Sequence, residues 1–295
     1  MKLVTFVPLA GGTNARVGAL NDGEIVDLGL SASLREIVQK GSAGLSEARR
    51  ALDGGNGTKY RRNDVRLLPP IVDPPKVLCI GKNNKSHLEE LKRNELIKEM
   101  PSQPTGFIKL VNTLVGDDAE VERPEGITTF DYEPELAFVL GKRAFRVRKA
   151  DALEYVAGIT LINDMTAREI QKQEVASGTR FWTSKNMPGF APLGPFMMTL
   201  DEVADPHNLW VTCTVNGKQR MRVNTGDVIF RIGDVIEHFS RWMPLEAGDV
   251  IAMGAPAGTA FSQPNADELY LKPGDVIEIA FEGMAPLRTR IVAPK

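Results

Sequence analysis

A proline-rich segment limits what this chain can fold into more than any other stretch. Between Leu67 and Lys76 four of ten residues are proline. Because proline fixes φ and has no N–H donor, this segment can form neither a helix nor a central strand. We therefore expect a boundary here, with a small N-terminal α+β domain over residues 1–72 and a larger domain over residues 73–295.

Charge and cysteine content exclude several classes of protein. The 36 basic and 38 acidic residues give a net charge of −2, so we expect no nucleic-acid partner and no membrane partner. The two cysteines, Cys79 and Cys213, are too few and too far apart for a disulfide framework or a thiolate metal site. The segment from Leu3 to Ala10 is interpreted as containing a first strand and not as a signal segment, and we expect a cytoplasmic protein.

Apolar runs bounded by glycine, proline and asparagine predict an α+β protein that is mainly β. The predicted strands are 3–7, 16–20, 24–28, 76–81, 105–109, 119–121, 133–140, 156–162, 209–215, 219–223, 249–253 and 275–281. The predicted helices are 34–39, 45–52, 85–100, 150–155, 164–176 and 227–242.

Carboxylates lie at the start of one of these predicted strands. In Asp131-Tyr132-Glu133-Pro134-Glu135-Leu136, two glutamates precede an apolar run. Side chains two residues apart share one face of a strand, about 6–7 Å apart. Two carboxylates there repel each other unless a cation lies between them. The alternative is a solvated edge strand whose charges prevent aggregation, and the hexapeptide alone leaves both interpretations open.

A third carboxylate, Asp164, ends the next apolar run and is predicted to open a helix. Arg168 and Gln171 follow at positions +4 and +7, on the same face of that helix. A face of carboxylate, guanidinium and amide suggests a binding surface. The alternative is an exposed ion pair worth about 0.3–0.5 kcal/mol.

Taken in order, these stretches resemble the fumarylacetoacetate hydrolase family from Lys76 to the C-terminus. The segments that carry the resemblance are 76–83 leading to His87, then 131–142, 163–171, 182–195, 215–217, 224–225 and 248–251. The resemblance implies a mixed β-sandwich roll with few helices, and a homodimer. Residues 84–100 resemble the lid of the family, which covers bound substrate.

The resemblance also implies a divalent-metal site. Glu133, Glu135 and Asp164 match the three carboxylate ligands of the family. Three oxygen ligands suit Mg²⁺, Mn²⁺ or Ca²⁺ better than zinc or copper. They leave coordination positions for a 2-oxo acid, the expected substrate, whose developing enolate the metal can stabilise.

Catalytic roles are implied for three further residues. His87 matches the general base, and Glu90 on the same helical face would orient its imidazole. Lys185 matches a lysine that stabilises an oxyanion or enolate. The positions implied to contact the substrate are Lys109, Arg168 and Gln171. Without the resemblance, the helix around His87 would be interpreted as solvated and the lysines as surface residues.

The leading interpretation is hydrolysis of a C–C bond in a β-diketo acid, of the acylpyruvate or fumarylacetoacetate type, in aromatic or carboxylic acid catabolism. His87 would deprotonate water, the hydroxide would attack the distal carbonyl, and a carboxylic acid and a pyruvate enolate would separate. The same enolate chemistry serves a hydratase, an isomerase or a decarboxylase of a related 2-oxo or 2-hydroxy-diene acid. A non-catalytic family member is a further alternative.

Three positions depart from the family pattern. Asn84 replaces a tyrosine, and Pro188 replaces an aspartate. Ala255 lies in Met253–Gly258, a segment that lacks both of the usual threonine hydroxyls. Because one of these hydroxyls helps to hold the substrate carboxylate in the family, we expect Ala255 to change substrate recognition.

Overall fold

The computed structural model describes residues 1–86, 88–89 and 101–294. Within them the fold combines α and β structure and is mainly sheet, which confirms the predicted class. The helices are α1 Leu34–Gln39, α2 Ser42–Asp53, α3 Arg168–Ala176, α4 Ile232–Trp242 and α5 Ala266–Leu269. In this part of the chain, no helix has both the length and the apolar character that crossing a membrane requires.

A 12-stranded sheet forms the larger layer. Its strands are β1 Lys2–Pro8, β2 Arg16–Asn21, β3 Glu24–Asp27, β4 Lys59–Arg61, β5 Val65–Leu68, β6 Val77–Gly81, β7 Thr105–Lys109, β8 Leu114–Val115, β11 Pro134–Leu140, β12 Val156–Asn163, β14 Ala191–Thr199 and β17 Val250–Ala252. The order across this sheet is β4-β3-β2-β1-β14-β12-β11-β17-β6-β7, with β5 paired to β1 and β8 paired to β14.

Two smaller sheets complete the fold. The five-stranded sheet consists of β9 Ala119–Glu122, β15 Trp210–Val215, β16 Lys218–Asn224, β18 Val276–Phe281 and β19 Leu287–Val292. The two-stranded sheet consists of β10 Phe130–Asp131 and β13 Thr166–Ala167. Buried apolar residues of both larger sheets, among them Phe138, Leu161, Ile277 and Leu287, pack into one core cluster.

The N-terminal strands extend the large sheet, because β1 pairs with β14 and places Lys2 opposite Met198. Residues 69–76 of the proline-rich segment form neither helix nor strand, as predicted, whereas its first two residues, Leu67 and Leu68, end β5. The division into two domains at residues 72 and 73 stays a prediction.

Strand β11 lies in the middle of the large sheet, between β12 and β17, and all its residues are buried. The carboxylates at its start are therefore not charges on a solvated edge strand. Since β11 is antiparallel to both neighbours and β17 is parallel to β6, strands β12, β17 and β6 all run in one direction. Their carboxyl ends meet the amino end of β11 at one edge of the sheet, and the candidate site lies there.

The helix predicted to begin at Asp164 begins instead at Arg168. Thr166 and Ala167 pair with Asp131 and Phe130, so tertiary strand pairing overrides the local helical pattern. Asp164 therefore does not share a helix face with Arg168, and the expectation of one common helical surface was wrong.

Candidate active site

Three buried carboxylates form an acidic centre at this edge of the sheet. Glu133, Glu135 and Asp164 each offer an oxygen, and these oxygens lie within 4.8 Å of one another. Backbone pairing fixes their positions, because the N–H of Asp164 donates to the carbonyl of Glu133 at 2.9 Å. The N–H of Glu133 donates to Oδ1 of Asn163 at 2.9 Å, and the N–H of Gly254 donates to Oε2 of Glu135 at 2.7 Å.

Two buried lysines neutralise part of this charge. Nζ of Lys185 donates to Oε2 of Glu133 at 2.5 Å and to Oδ2 of Asp164 at 2.6 Å. Nζ of Lys109 donates to Oδ1 of Asp164 at 2.6 Å and to the carbonyl of Lys185 at 2.5 Å. Burial lowers the pKa of Lys185, but the carboxylates of Asp164 and Glu133 outweigh this effect and raise it overall. Lys185 is therefore an ammonium group.

Arg168 supplies the third cation. Its Nε donates to Oδ2 of Asp131 at 2.8 Å, its Nη2 lies 2.7 Å from Oε1 of Glu133, and its Nη1 donates to Oε1 of Gln171 at 2.9 Å. Asp131 also accepts hydrogen bonds from the backbone N–H groups of residues 132, 260 and 261. Arg168 is thus held in one orientation by a fully buried carboxylate.

The charge balance of the centre favours a further cation. Among the described buried side chains, four carboxylates (Asp131, Glu133, Glu135 and Asp164) meet three cations (Lys109, Arg168 and Lys185), so the group carries a net charge of −1 when all four carboxylates are ionised. Burial, followed by the nearby negative charges of Asp164 and Glu133, raises the pKa of Glu135 well above its usual range. A divalent cation would relieve this repulsion, and an all-oxygen donor set fits Mg²⁺ or Mn²⁺. The acidic centre can therefore hold a metal ion.

A cavity of about 410 Å³ opens from the acidic centre, within the size range of small-molecule sites. Helix α3 lines it with residues spaced as one helical face, which are Arg168, Gln171, Lys172 and Val175. The aromatic part of the wall consists of Phe107, Phe181 and Phe261. The cavity is thus polar and acidic at the centre and largely apolar elsewhere.

The structure brings most of the predicted site residues together. Glu133, Glu135, Asp164, Arg168, Gln171 and Lys185 all line the cavity. Lys109 lies behind Asp164, is 1 % exposed and is not part of the lining, so it supports a carboxylate and does not face the cavity. His87 and Glu90 lie outside the described residues, and their roles stay predictions.

The positions that depart from the family pattern occupy different places. Ala255 lines the cavity, whereas Asn84 is buried and Pro188 is exposed. His207 is buried, and its Nε2 accepts the N–H of Ile232 at 3.2 Å, as expected of a structural histidine.

Sequence reasoning missed four charged residues of the site. Asp131 precedes Glu133 by two residues, so the same alternation that singled out the two glutamates includes it. Lys82, Lys172 and Arg180 also line the cavity. Lys82 lies in segment 76–83, which carries the resemblance, but the resemblance gave it no role, and no sequence pattern pointed to Lys172 or Arg180, because isolated lysines and arginines are ordinary on protein surfaces.

Comparison with known proteins agrees with this geometry. The model of the fumarylacetoacetate (FAA) hydrolase C-terminal family matches residues 76–292. An oxaloacetate tautomerase of Xenopus laevis, described as mitochondrial, is 33 % identical over 300 residues, which cover 99 % of this chain and 90 % of that protein.

Two solved structures are similar along their whole length. The fumarylacetoacetate hydrolase of Exiguobacterium antarcticum is 32 % identical with a TM-score of 0.82, and 100 % of each chain is covered. The 5-carboxymethyl-2-hydroxymuconate delta-isomerase of Mycobacterium smegmatis is 26 % identical with a TM-score of 0.75, again with 100 % of each chain covered. The protein described above is therefore a member of the fumarylacetoacetate hydrolase family.

Proposed function

We propose that this chain is a divalent-metal-dependent tautomerase or isomerase that interconverts the keto and enol forms of a 2-oxo acid. The observation that carries the proposal is the acidic centre at a cavity that also holds the charged groups of Lys185 and Arg168. The Xenopus tautomerase, which matches almost the whole chain, supports this chemistry over the hydrolysis that the motifs first suggested.

Keto–enol interconversion moves a proton between the carbon next to the carbonyl and the carbonyl oxygen. Negative charge develops on that oxygen as the proton leaves the carbon, so the enzyme needs preorganised positive charge there. A bound divalent cation supplies Lewis-acid stabilisation of this charge. The side chains of the cavity supply the rest.

Lys185 is the residue best placed to stabilise the developing charge. Its ammonium is buried, lines the cavity and is fixed by Glu133 and Asp164. Because it is held in place before the substrate arrives, it pays little reorganisation energy during the reaction. The loss of one such donor reduces kcat by roughly 10²–10³-fold.

Arg168 is the proposed partner of the substrate carboxylate. A guanidinium presents its donors as a planar fork that matches a carboxylate. Asp131 and Gln171 fix the plane of that fork. In the family pattern a threonine hydroxyl helps to bind the substrate carboxylate, and the segment around Ala255 provides no such hydroxyl. Arg168 and Gln171 therefore bind the carboxylate in this chain without that help. His87, oriented by Glu90, remains the proposed base that moves the proton.

C–C bond hydrolysis is the second candidate. The similarity to the Exiguobacterium hydrolase along the whole chain favours it, and the same base would then activate a water molecule. The products distinguish the two reactions, because hydrolysis yields two smaller acids, whereas tautomerisation leaves the carbon skeleton intact.

The test uses protein dialysed against a chelator and then supplied with Mg²⁺ or Mn²⁺. Enol absorbance of oxaloacetate and of an acylpyruvate reports the rate, and NMR of the products reports whether a C–C bond was cut. We expect metal-dependent tautomerisation of oxaloacetate, reduced roughly 10²–10³-fold in Lys185→Met. Glu154→Gln, a change at an exposed position, serves as the control.

Two results would contradict the proposal. Formation of two acids from the acylpyruvate, with no acceleration of oxaloacetate tautomerisation, would favour the hydrolase. Equal rates in Lys185→Met and in the wild type would remove Lys185 from the chemistry. A parallel measurement of His87→Ala tests the proposed base in the same way.

The metal assignment has its own test. The wild type and a Glu133→Gln, Glu135→Gln double variant are loaded with Mn²⁺ and dialysed, and the retained metal is measured. We expect metal in the wild type only. Equal retention in both proteins would place the metal elsewhere.

A further inference from the structure

Three cations line the cavity apart from the ion pairs of the acidic centre. These residues, Lys82, Lys172 and Arg180, are called the cationic rim below. Within the described parts of the chain, none of them is within ion-pair distance of a carboxylate, whereas Lys109, Arg168 and Lys185 all are. Among the residues that the structure describes, the only carboxylates that line the cavity are those of the acidic centre. The rim therefore presents positive charge that its described neighbours do not neutralise.

Strained backbone holds part of this rim in place. Lys82 has φ 58° and Phe181, next to Arg180, has φ 52°. Side chains other than glycine rarely adopt this left-handed region, and such strain concentrates at functional sites. The two segments lie side by side, because a Cβ added at Gly81 would be 3.7 Å from Cε2 of Phe181.

The rim brings like charges together. Lys82 is exposed but partly shielded from solvent, which lowers its pKa, and the nearby guanidinium of Arg180 lowers it further. Repulsion of this kind is relieved when an anion binds between the two groups. The arrangement is therefore suited to bind an anionic group that does not belong to the described residues.

Lys172 connects the rim to Arg168. Both residues lie on α3 and both contact the ring of Phe261, at 5.1 Å for the Arg168 guanidinium carbon and 5.6 Å for the Lys172 Nζ, measured to the ring centroid. The two residues are four positions apart in the helix, which corresponds to about 6 Å along its axis. This spacing suits a ligand with a carboxylate at each end of a short carbon chain.

We propose that Lys82, Lys172 and Arg180 bind a second carboxylate of the substrate, so that the enzyme selects 2-oxo dicarboxylic acids over 2-oxo acids with an apolar tail. The inference rests on the proposed function only in placing the 2-oxo acid end of the substrate at the acidic centre. The rim then sets specificity and the centre carries out the chemistry.

Binding of two matched acids tests the rim without turnover. 2-Oxoglutarate and 2-oxovalerate have the same carbon chain and differ in a terminal carboxylate against a methyl group. We measure the Kd of each by calorimetry in the presence of Mg²⁺. In the wild type we expect 2-oxoglutarate to bind at least about tenfold more tightly.

Variants then assign the preference to the rim. Lys82→Met and Arg180→Met keep the aliphatic bulk and remove the charge, and each should weaken 2-oxoglutarate about tenfold while leaving 2-oxovalerate unchanged. Lys218→Met, at an exposed position outside the cavity, is the matched control. Lys82→Arg and Arg180→Lys keep the charge and should retain the preference, so they decide the question if a Met variant fails to fold.

Several results would overturn the proposal. They are equal affinity of the wild type for the two acids, equal losses for both acids in the Met variants, and failure of both acids to bind. The proposed function fails separately, through absence of oxaloacetate turnover. If the protein selects 2-oxoglutarate but does not turn over oxaloacetate, the rim proposal stands and the tautomerase proposal fails. If it turns over oxaloacetate but shows no selectivity, the tautomerase proposal stands and the rim proposal fails.

Discussion

Asp131→Asn should damage the site although Asp131 does not line the cavity. Its Oδ1 accepts N–H groups of Tyr132 and Ala260, and its Oδ2 accepts Nε of Arg168 and the N–H of Phe261. An amide has only one acceptor oxygen, so in either orientation two buried donors face an NH₂ group. Each unsatisfied donor costs about 1–3 kcal/mol, and breaking a buried ion pair costs about 3–5 kcal/mol. We therefore expect a loss of about 3–5 kcal/mol in the free energy of unfolding.

Urea unfolding followed by circular dichroism measures this loss. Asp151→Asn is the matched control, because Asp151 also pairs with an arginine, Arg148, but on the surface. Exposed pairs contribute about 0.2–1 kcal/mol, so the control should remain close to the wild type. A loss of less than about 1 kcal/mol in Asp131→Asn would refute the view that this carboxylate anchors Arg168.

Three further changes test other parts of the structure. Burial raises the pKa of Glu169, but hydrogen bonds from Thr129 and Thr128 outweigh this and lower it to about 2 from its ordinary 4.5. The carboxylate therefore stabilises the fold above about pH 4.5, and the stability gap between wild type and Glu169→Gln, about 1–2 kcal/mol in urea unfolding, should shrink as the pH falls toward 2. Lys109→Met leaves Asp164 without one of its two cations and should lower the free energy of unfolding by about 3–5 kcal/mol; an unchanged urea midpoint would contradict this. Gly254→Ala introduces a Cβ 3.0 Å from the carbonyl of Ile80 at φ +98°, which displaces the N–H that orients Glu135, so calorimetry should find Mn²⁺ affinity reduced about 10–100-fold.

Much of the fold could be predicted because local pattern and tertiary environment agree. The apolar runs of β6, β11 and β12 form interior strands of the large sheet and are almost entirely buried, and continuous apolar sequence is expected in such strands. Helix α4 was predicted to begin at residue 227 and begins at Ile232. The N–H of Arg231 donates to Asp234, which fixes that start. Strand β14 was missed, because Pro192, Gly194 and Pro195 interrupt the pattern by which strands are found.

Only those residues of the candidate site that belong to the family motifs could be predicted. Glu133 and Glu135 lie at the start of β11, whereas Asp164 follows the end of β12, so spacing alone could not bring Asp164 to the other two. The register of β11 against β12, with Pro134 opposite Asn163, does so. The roles of Asp131 and Lys109 could not be foreseen, because each acts by supporting another side chain. Support of that kind depends on distances that a single sequence does not contain.

The two charged parts of the cavity differ in how firmly the fold fixes them. The acidic centre depends on strand register, backbone hydrogen bonds and buried ion pairs, so a change at Glu133 or Asp164 leaves uncompensated buried charge. The cationic rim lies on the exposed face of α3 and on two loops, where a substitution typically changes stability by less than about 0.5 kcal/mol. Substrate choice can therefore change at the rim without loss of the chemistry at the centre. With the proposed division of roles, one fold can accept different acids at the rim while the centre stays unchanged.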